Sequence, residues 1–507
     1  MSQIITRLKN ILSSSLDEEL LYMMTHIYSI STGKPPVDKI FNLGGVSGVG
    51  YNGYTRLLRR ISTIARDYGL GYVDSIRANL DQSRNPLFRD FLMRLSEALS
   101  SGHDLESFLR MELDSLISEF KASYTRLLET IRVLLGVYVG VLSSVTFLNV
   151  SMTLIVYLTT GSIVPAIATL LLSQAALWSL DLFIYYSLPR YKVAHDLSIR
   201  PRDRDLFVRA LTLSLALGLL GFLVVYTLTS SLGISLVALG APLLIPGYIA
   251  YTYERRLKRI SNFIPVFVKN YGALYSTLGN ELLVLRSLLR VNIGPLTSLL
   301  RKAYARLSAG VDRRNTWLLF AGESGSEIIR RVTDIIYDSL ESAADMRKVG
   351  EKLGDVVADH INMQKSREQI ARSFQAIVYL LQVILVALAQ FIVTLIHILG
   401  ELLGIARELP VAILPLAGGA ELIPGTVYVA LISISMAAAN AIAIKAVEGG
   451  YAGVIILHLS ILLILSGITI VISSAFSEFL VRTFIEGIRA PEFSPVPLWG
   501  EGYVLKI

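Results

Sequence analysis

Long apolar stretches without a single Asp, Glu, Lys or Arg interrupt the chain in five places. The hydrocarbon core of a bilayer needs about 20 apolar residues in each crossing helix. The two longest stretches are therefore long enough for two helices each, and the other three for one helix each. The stretches are Val133–Leu180, Ala210–Tyr253, Ser373–Gly400, Leu422–Ile444 and Tyr451–Ser477. The pattern predicts seven spans and hence a multi-pass membrane protein that contacts the lipid bilayer.

Basic residues are concentrated in the short loop 189–206, between the second and third predicted spans. The links Thr159–Ser162 and Thr229–Gly233 carry no charge. Short positively charged loops stay in the cytoplasm, so we expect the N-terminus inside and, after seven spans, the C-terminus outside. The basic residues of this inner loop are Arg190, Lys192, Arg200, Arg202 and Arg204.

The predicted layout places two polar regions on the cytoplasmic side. Residues 1–131 form the first cytoplasmic helical domain and 132–253 form spans one to four. Residues 254–372 form the second cytoplasmic domain, 373–477 form spans five to seven, and 478–507 form an external tail. The net charge of +7 does not indicate nucleic acid, because inner loops of membrane proteins are basic in any case. We therefore expect no nucleic-acid partner.

Both polar regions show helical periodicity rather than the alternation of strands. Arg56–Arg66 and Phe88–Leu99 each place apolar residues on one helical face. Gly102 then predicts a helix end, and Asp104 predicts the cap of a second helix, Leu105–Phe120. The predicted fold class is all-α, with two cytoplasmic helical bundles that are each followed by a set of transmembrane helices.

A short motif occurs in both polar regions. Gly102-His103-Asp104-Leu105 follows a helix that contains Phe91, and Gly279-Asn280-Glu281-Leu282 follows one that contains Val268, 11 residues upstream in both cases. In each, we expect a glycine stop, an acidic cap and a second helix. A helix–glycine–acid corner is common, but each region also precedes a set of spans, which favours duplication of one bundle.

The search for catalytic or cofactor chemistry returns no motif. The chain has no cysteine and no G-x-x-x-x-G-K-[ST] phosphate loop. The glycine-rich run Gly44–Gly50 lacks a following lysine, which favours a linker over a nucleotide cradle. The six histidines show no metal-ligand spacing. We expect no enzyme activity, no cofactor and no bound metal.

Polar residues inside the predicted spans are candidates for function, since such residues are rare in membranes. In the fifth span they fall within an arc of about 80°. Asn440 in the sixth span and His458 in the seventh are placed to meet this stripe, and Asp181 lies near the inner end of the second. Interhelical hydrogen bonds, a groove for a guest helix and an ion relay are all open interpretations. The residues of the stripe are Gln375, Gln382, Gln390 and His397.

Three segments carry a resemblance to a known family. They are Glu19–Phe41, Asp90–Glu112 and Trp317–Ile329. In this order and layout they resemble the platform proteins of type IV pilus-like machines and type II secretion, and most closely the archaeal, FlaJ-like branch. The residues that match the family pattern are Phe91, Arg94, Gly102, Asp104, Glu112, Pro265, Gly279, Glu281, Trp317, Phe320, Glu323, Gly325 and Ser326.

The resemblance implies a non-enzymatic platform in the cell membrane that assembles an archaellum or an adhesion pilus. It implies a hexameric secretion ATPase, prepilin-like or archaellin-like subunits and a second copy of the chain as partners. Candidate contacts with the ATPase are the basic residues Arg59, Arg60, Arg313, Arg314, Arg200, Arg202 and Arg204, although anionic lipid is an alternative partner for the last three. Two other functions stay open: a secondary transporter that uses the polar stripe and Asp181, and a membrane-bound transferase with its site near Glu401–Glu421.

Overall fold

The computed structural model describes residues 16–159, 164–189, 191–199, 201, 203–291, 293–407 and 425–489. Within these residues all regular secondary structure is helical, and the only bridge between extended segments joins Ala194 to Ser326. The predicted all-α fold class is confirmed.

Short helices build the first polar region, and the sequence explains where they start. Asp17 caps the first of them by accepting a hydrogen bond from the backbone N–H of Glu19 at 2.9 Å. Pro86 opens the fifth, behind the capping side chain of Asn85. The helices predicted at Arg56–Arg66 and Phe88–Leu99 are confirmed. The region contains α1 (Glu18–Ser31), α2 (Val37–Phe41), α3 (Asn52–Asp67), α4 (Gly71–Asn79) and α5 (Pro86–Ser100).

Four long helices follow, and five shorter ones form the second polar region. The long helices are α6 (Leu105–Thr159), α7 (Val164–Ser187), α8 (Asp203–Thr229) and α9 (Leu232–Ser261). The second polar region contains α10 (Ile264–Leu278), α11 (Glu281–Arg290), α12 (Leu296–Ser308), α13 (Arg313–Ser324) and α14 (Glu327–Glu341). The described chain ends with α15 (Met346–Arg407), α16 (Gly425–Glu448) and α17 (Ile455–Arg489).

Seven helices of the described chain are long and apolar enough to cross a bilayer, as predicted. They are α6, α7, α8, α9, α15, α16 and α17. The orientation of these helices, with the N-terminus inside, stays a prediction.

Several long helices run without a break from a polar region into a span. The predicted separate helix Leu105–Phe120 is wrong, because α6 continues to Thr159. The same continuity joins the predicted second polar region to the fifth span in α15. The apolar pattern changes at these points from one face to the whole circumference, but no proline stands there to end the helix. The predicted limits 131, 253 and 372 thus fall inside α6, α9 and α15.

Buried apolar side chains form two large clusters. The first combines both polar regions, from Leu20 to Leu113 and from Ile260 to Ile361. The second fills the space between the spans, for example around Leu236 and Met436. The two polar regions therefore share one hydrophobic core. Their division into two bundles stays a prediction.

The two glycine motifs differ at the cap. Gly102 and Gly279 both adopt the left-handed conformation after a helix, at φ 65° and 61°, as a glycine stop requires. Asp104 caps α6 by accepting a hydrogen bond from the backbone N–H of Ser107 at 3.0 Å. In the second motif, however, Asn280 caps α11, so the predicted cap at Glu281 is wrong. The shorter amide side chain of Asn280 reaches the N–H groups, and Glu281 turns into the core. Duplication of the bundle stays a prediction.

Candidate functional sites

The motif residues of the first polar region pin α5 to α6. Arg94 forms a two-pronged ion pair with Glu112, with Nε–Oε1 and Nη2–Oε2 both 2.7 Å. Below it, the ring of Phe91 lies parallel to that of Phe108, at 6.5 Å between centroids. Gly102 and Asp104 make the corner between the helices. These residues fix the angle at which α6 leaves the polar core towards the membrane.

Glu281 joins three helices of the second polar region. It is buried and accepts hydrogen bonds from Tyr271, Trp317 and Arg313, the last two at 2.5 and 2.7 Å. Trp317 packs edge-on against Tyr271 and Phe320. Arg313, predicted as a contact for the ATPase, is thus paired inside the protein and only 38% exposed.

The motif around Gly325 holds the inner loop. The backbone N–H of His195 donates to the carbonyl of Gly325 at 3.1 Å, and that of Glu327 donates to Val193 at 2.9 Å. The His195 ring lies 3.1 Å from the carbonyl oxygen of Gly322, and burial lowers the pKa of His195 and so favours the neutral ring.

Other motif residues stabilise the same corner. The hydroxyl of Ser326 pairs with that of Ser261 at 2.8 Å, and Glu323 binds Lys302 and Arg306. Pro265 lies in the first turn of α10. The sequence did not indicate that the inner loop docks on this motif.

Exposed arginines line an open cleft in the first polar region. The cleft encloses about 1020 Å³ between α3 and the start of α5. Arg56 and Arg60 from α3 and Arg84 before α5 line it, together with Asp17 and Glu19. Among the described residues none of these three arginines has a carboxylate within ion-pair distance. Their charge is therefore free to meet a partner.

The other predicted basic contacts differ in their surroundings. Arg59 and Arg314 are exposed, whereas Arg204 pairs with Asp196 at 3.3 Å. Arg200 and Arg202 lie outside the described residues. The structure thus leaves Arg59, Arg60 and Arg314 exposed among the predicted contacts.

The glycine-rich segment 44–50 binds two aspartates of α14. The backbone N–H groups of Gly44 and Gly45 donate to Oδ2 of Asp338 at 3.1 and 2.8 Å. Ser47 donates to Asp334 through its N–H and its hydroxyl, at 2.8 and 2.6 Å. The amide groups that would hold a phosphate are therefore occupied by carboxylates. The segment links α2 to α3, as the linker interpretation predicts, and its hydrogen bonds also attach it to α14.

Two adjacent arginines of α14 continue this buried network. Arg330 pairs with Glu327 at 2.5 Å and Asp334 at 2.9 Å. Arg331 pairs with Glu19 at 2.7 Å, Glu327 at 3.0 Å and Glu18 at 3.3 Å. Both arginines are almost fully buried. Arg331 thereby joins α14 to the start of α1, whereas the ion pairs of Arg330 lie within α14.

Two buried histidines complete the network. Nε2 of His26 lies 3.1 Å from Oδ2 of Asp338, and Nε2 of His360 lies 3.2 Å from Oε1 of Glu18. Burial by itself favours the neutral carboxyl of Asp338, but His26 and the glycine amides outweigh it and hold the pKa of Asp338 below its ordinary value. Burial raises the pKa of Asp334 despite its contact with Arg330.

Sequence reasoning missed this network, although it left a signal. Charges of both signs lie at positions 327, 330, 331, 334 and 338 of one helix, at spacings that allow ion pairs. The sequence alone does not show that these charges are buried, because the segments that cover them come from the far end of the chain.

Two of the polar residues predicted inside the spans, Gln382 and Asn440, contact each other. Asn440 donates to Gln382 at 2.7 Å and accepts from the hydroxyl of Tyr138 at 2.7 Å. Gln382 also donates to Ser466 at 2.9 Å. This chain of hydrogen bonds connects α6, α15, α16 and α17. Interhelical bonding therefore accounts for Gln382 and Asn440.

The remaining intramembrane residues lie outside that chain. His458 contacts Tyr379 at 2.8 Å rather than a glutamine of the stripe. Gln390 is half-buried, and the side chain of His397 lies outside the described residues. Asp181 is buried, and neither of its carboxylate oxygens accepts a hydrogen bond from the described residues. The proposed site near Glu401–Glu421 also lies outside the described side chains.

Comparison with known proteins supplies the remaining observation. The chain is 27% identical over 454 residues to flagella accessory protein J of Methanocaldococcus jannaschii, covering 85% of this chain and 78% of that protein. It is 22% identical over 343 residues to the protein of the same name from Methanococcus voltae, covering 63% of this chain and 60% of that protein. No protein-family model and no solved structure matches the chain. The resemblance to the FlaJ-like branch that the sequence motifs indicate is therefore confirmed: this chain, whose described part has seven helices long and apolar enough to cross a membrane, is similar to the archaeal flagella accessory proteins J.

Proposed function

We propose that the chain is the membrane platform on which a type IV pilus-like filament is assembled. It couples a cytoplasmic hexameric ATPase to the insertion of prepilin-like subunits and has no enzyme activity of its own. Similarity to flagella accessory protein J along most of the chain carries this proposal, and the names of both relatives favour the archaellum over an adhesion pilus.

The continuous helices support the coupling of a motor to membrane spans. α6 has 55 residues and α15 has 62, which correspond to lengths of about 80 and 90 Å. The hydrocarbon core is only about 30 Å thick. Each helix therefore extends well beyond the bilayer into the polar core, and a movement of that core is transmitted to the spans.

The basic cleft supports a contact with the motor. Arg60 in the cleft, and Arg59 and Arg314 outside it, are exposed on the polar regions. In the proposed orientation these regions face the cytoplasm, where the ATPase operates. Acidic segments of the ATPase would pair with these arginines, and such pairs set partner choice and association rate.

A platform also lowers the cost of moving a subunit out of the lipid. Exposing an apolar helix to water costs about 0.8 kcal/mol for each methylene group. A protein surface that keeps the helix covered avoids most of this cost. The platform therefore works in the cell membrane. We expect it to be a homodimer there, and the mass of the detergent-solubilised protein would test this.

Deletion and complementation test the proposal. Removing the gene should abolish the filament, and the chain should co-purify with the secretion ATPase of the same organism. The variant Arg60→Glu should weaken that co-purification, whereas Arg77→Glu, an exposed arginine on α4 outside the cleft, should not. Filaments that persist without the chain, or ATP hydrolysis by the purified chain alone, would contradict the platform role.

Asp181 keeps a second function open, that of a secondary transporter. Its buried carboxyl oxygens accept no hydrogen bond from the described part of the chain, and ionisable groups inside a membrane commonly belong to ion or proton pathways. Ion-coupled solute uptake in proteoliposomes that is abolished by Asp181→Asn would support transport. Equal uptake with the variant would exclude this role for Asp181.

A further inference from the structure

A groove runs between α6 and α15 where both helices enter the predicted membrane. It encloses about 700 Å³ and is lined by side chains of α6 and α15 alone. Its inner end is polar and its outer end is apolar. The residues that matter here are Leu128, Arg132 and Gly136 from α6, and Gln369, Ser373 and Ile377 from α15.

Small residues continue the groove along α6. Gly136, Gly140 and Ser144 follow at intervals of four residues, and all three are exposed. A Cβ atom added to either glycine would meet nothing within 4 Å. Glycine weakens a helix, whereas small residues at this spacing allow another transmembrane helix to approach closely.

Other glycines of the described spans already have such a neighbour. A Cβ at Gly233 would lie 2.6 Å from the carbonyl oxygen of Gly467, which belongs to α17. Similar contacts occur at Gly218, Gly240 and Gly247. This chain thus uses span glycines for close helix contacts, whereas Gly136 and Gly140 have no such neighbour among the described residues.

The charge of Arg132 indicates what kind of helix would fit the groove. Arg132 is exposed at the inner end of the groove and has no carboxylate within ion-pair distance among the described residues. In a two-fold dimer packed through α6, each Arg132 would face its own copy, and like charges would oppose the contact. A helix with an acidic side chain near its cytoplasmic end complements the groove better than a second copy does.

We propose that this groove holds one transmembrane helix of a partner, with its flat side on Gly136 and Gly140 and an acidic side chain at Arg132. The inference rests on the proposed platform function, under which the partner is the prepilin-like subunit and the groove is the place where its helix docks before insertion.

Disulfide crosslinking tests the proposal directly, because the chain has no cysteine of its own. Ser373→Cys is introduced into the full chain, and single cysteines are placed along the apolar helix of the prepilin-like subunit from the same organism. We expect an adduct at Ser373→Cys. Ala216→Cys on the lipid-facing side of α8 is the matched control and should give none.

Filling the groove is the second arm. Gly136→Leu adds bulk where there is space and strengthens the helix, so misfolding would not explain a loss. It should lower the adduct yield at Ser373→Cys by roughly three- to thirty-fold, whereas Ala216→Leu should not. Arg132→Gln should also lower the yield, and Arg132→Lys should retain it.

Each other outcome overturns a defined part of the reasoning. A disulfide between two chains that both carry Gly136→Cys would place a second copy in the groove. An equal adduct at groove and control positions, or none in cells that still make filaments, would remove the groove from the mechanism but leave the platform role intact. Filaments made without the chain would overturn the platform role itself.

Discussion

Replacing Arg331 with Met tests whether the buried charge network holds α1 onto α14. Arg331 is 3% exposed, and its guanidinium lies within 3.3 Å of three carboxylates. Met keeps much of the volume of the side chain but removes the charge. The carboxylates left without this partner are Glu18, Glu19 and Glu327.

The structure sets the size of the effect. Removing one partner of a buried ion pair costs about 3–5 kcal/mol, because the remaining charge is left uncompensated. Glu327 keeps its pair with Arg330, and Glu18 and Glu19 are each 20% exposed, so that water reaches them. We therefore expect Arg331→Met to lower the free energy that holds α1 on α14 by about 3 kcal/mol, the lower limit of this range. A free-energy change of this size corresponds to roughly a hundredfold change in an equilibrium constant.

Hydrogen exchange of the full chain in detergent measures this change. Amides of α1 should exchange roughly a hundredfold faster in Arg331→Met, whereas peptides from α12 should serve as an unchanged internal reference. Arg314→Met is the matched control, since Arg314 is exposed. Adding Glu19→Gln to Arg331→Met should restore part of the protection, because one of the uncompensated carboxylates is then removed.

Two results would refute the reasoning. Unchanged exchange of α1 in Arg331→Met would show that the network does not hold the helix. If Glu19→Gln further increases the exchange of α1 instead of restoring protection, the effect of Arg331→Met is a loss of packing. The guanidinium of Arg331 also lies 4.9 Å from the centre of the Tyr22 ring.

Three further predictions follow from the buried carboxyl groups, each measured as the melting temperature of the detergent-solubilised protein. Because the pKa of Asp338 is held below its ordinary value, its contribution is present above about pH 4 and is lost as the pH falls through the folded-state pKa; Asp338→Asn should therefore lower the melting temperature at pH 7, and this difference should shrink as the pH is lowered below about 4, whereas a difference that does not change with pH would contradict this. Glu281→Gln keeps an acceptor for Trp317 but loses the negative charge, at a cost of about 1–3 kcal/mol; exposed Glu97→Gln should leave the melting temperature unchanged, and the same result for Glu281→Gln would show that its charge is not needed. Asp181→Asn removes a buried ionisable carboxyl group whose oxygens accept no hydrogen bond from the described residues and should raise the melting temperature; a lower value would reveal a stabilising contact for this carboxyl group.

The spans could be predicted because their signal is local. A run of 20 or more residues without charge has few structural alternatives to a membrane helix, and the described residues contain seven helices that are long and apolar enough to cross a bilayer. The continuity of α6 and α15 could not be predicted in the same way. A change from one apolar face to an apolar circumference resembles a boundary in the sequence, yet the backbone continues because no residue there ends a helix.

The candidate sites were harder to predict because their partners lie far apart in the chain. Arg331 is separated by more than 300 residues from Glu18 and Glu19, which neutralise it. Arg313 follows an exposed turn in the sequence, and only the packing of α11 brings Glu281 to it. In contrast, the meeting of Gln382 and Asn440 was predictable, because polar residues in neighbouring spans have few other partners in lipid.

Arg367 shows how the polar core and the spans move together. It lies in α15 and is buried, and its guanidinium donates to three backbone carbonyls: Val447 at 2.7 Å, Pro189 at 2.8 Å and Ala446 at 3.0 Å. The carbonyls of Ala446 and Val447 lie in the last turn of α16, and that of Pro189 lies just after the end of α7. A cation is favourable at a helix C-terminus. The planar guanidinium holds its five N–H donors in a fixed fork, which suits three acceptors that lie around it. If the polar part of α15 is displaced, either these three hydrogen bonds break or α7 and α16 move with it. Breaking the bonds would leave the buried guanidinium without these acceptors. We therefore expect α7 and α16 to move with α15.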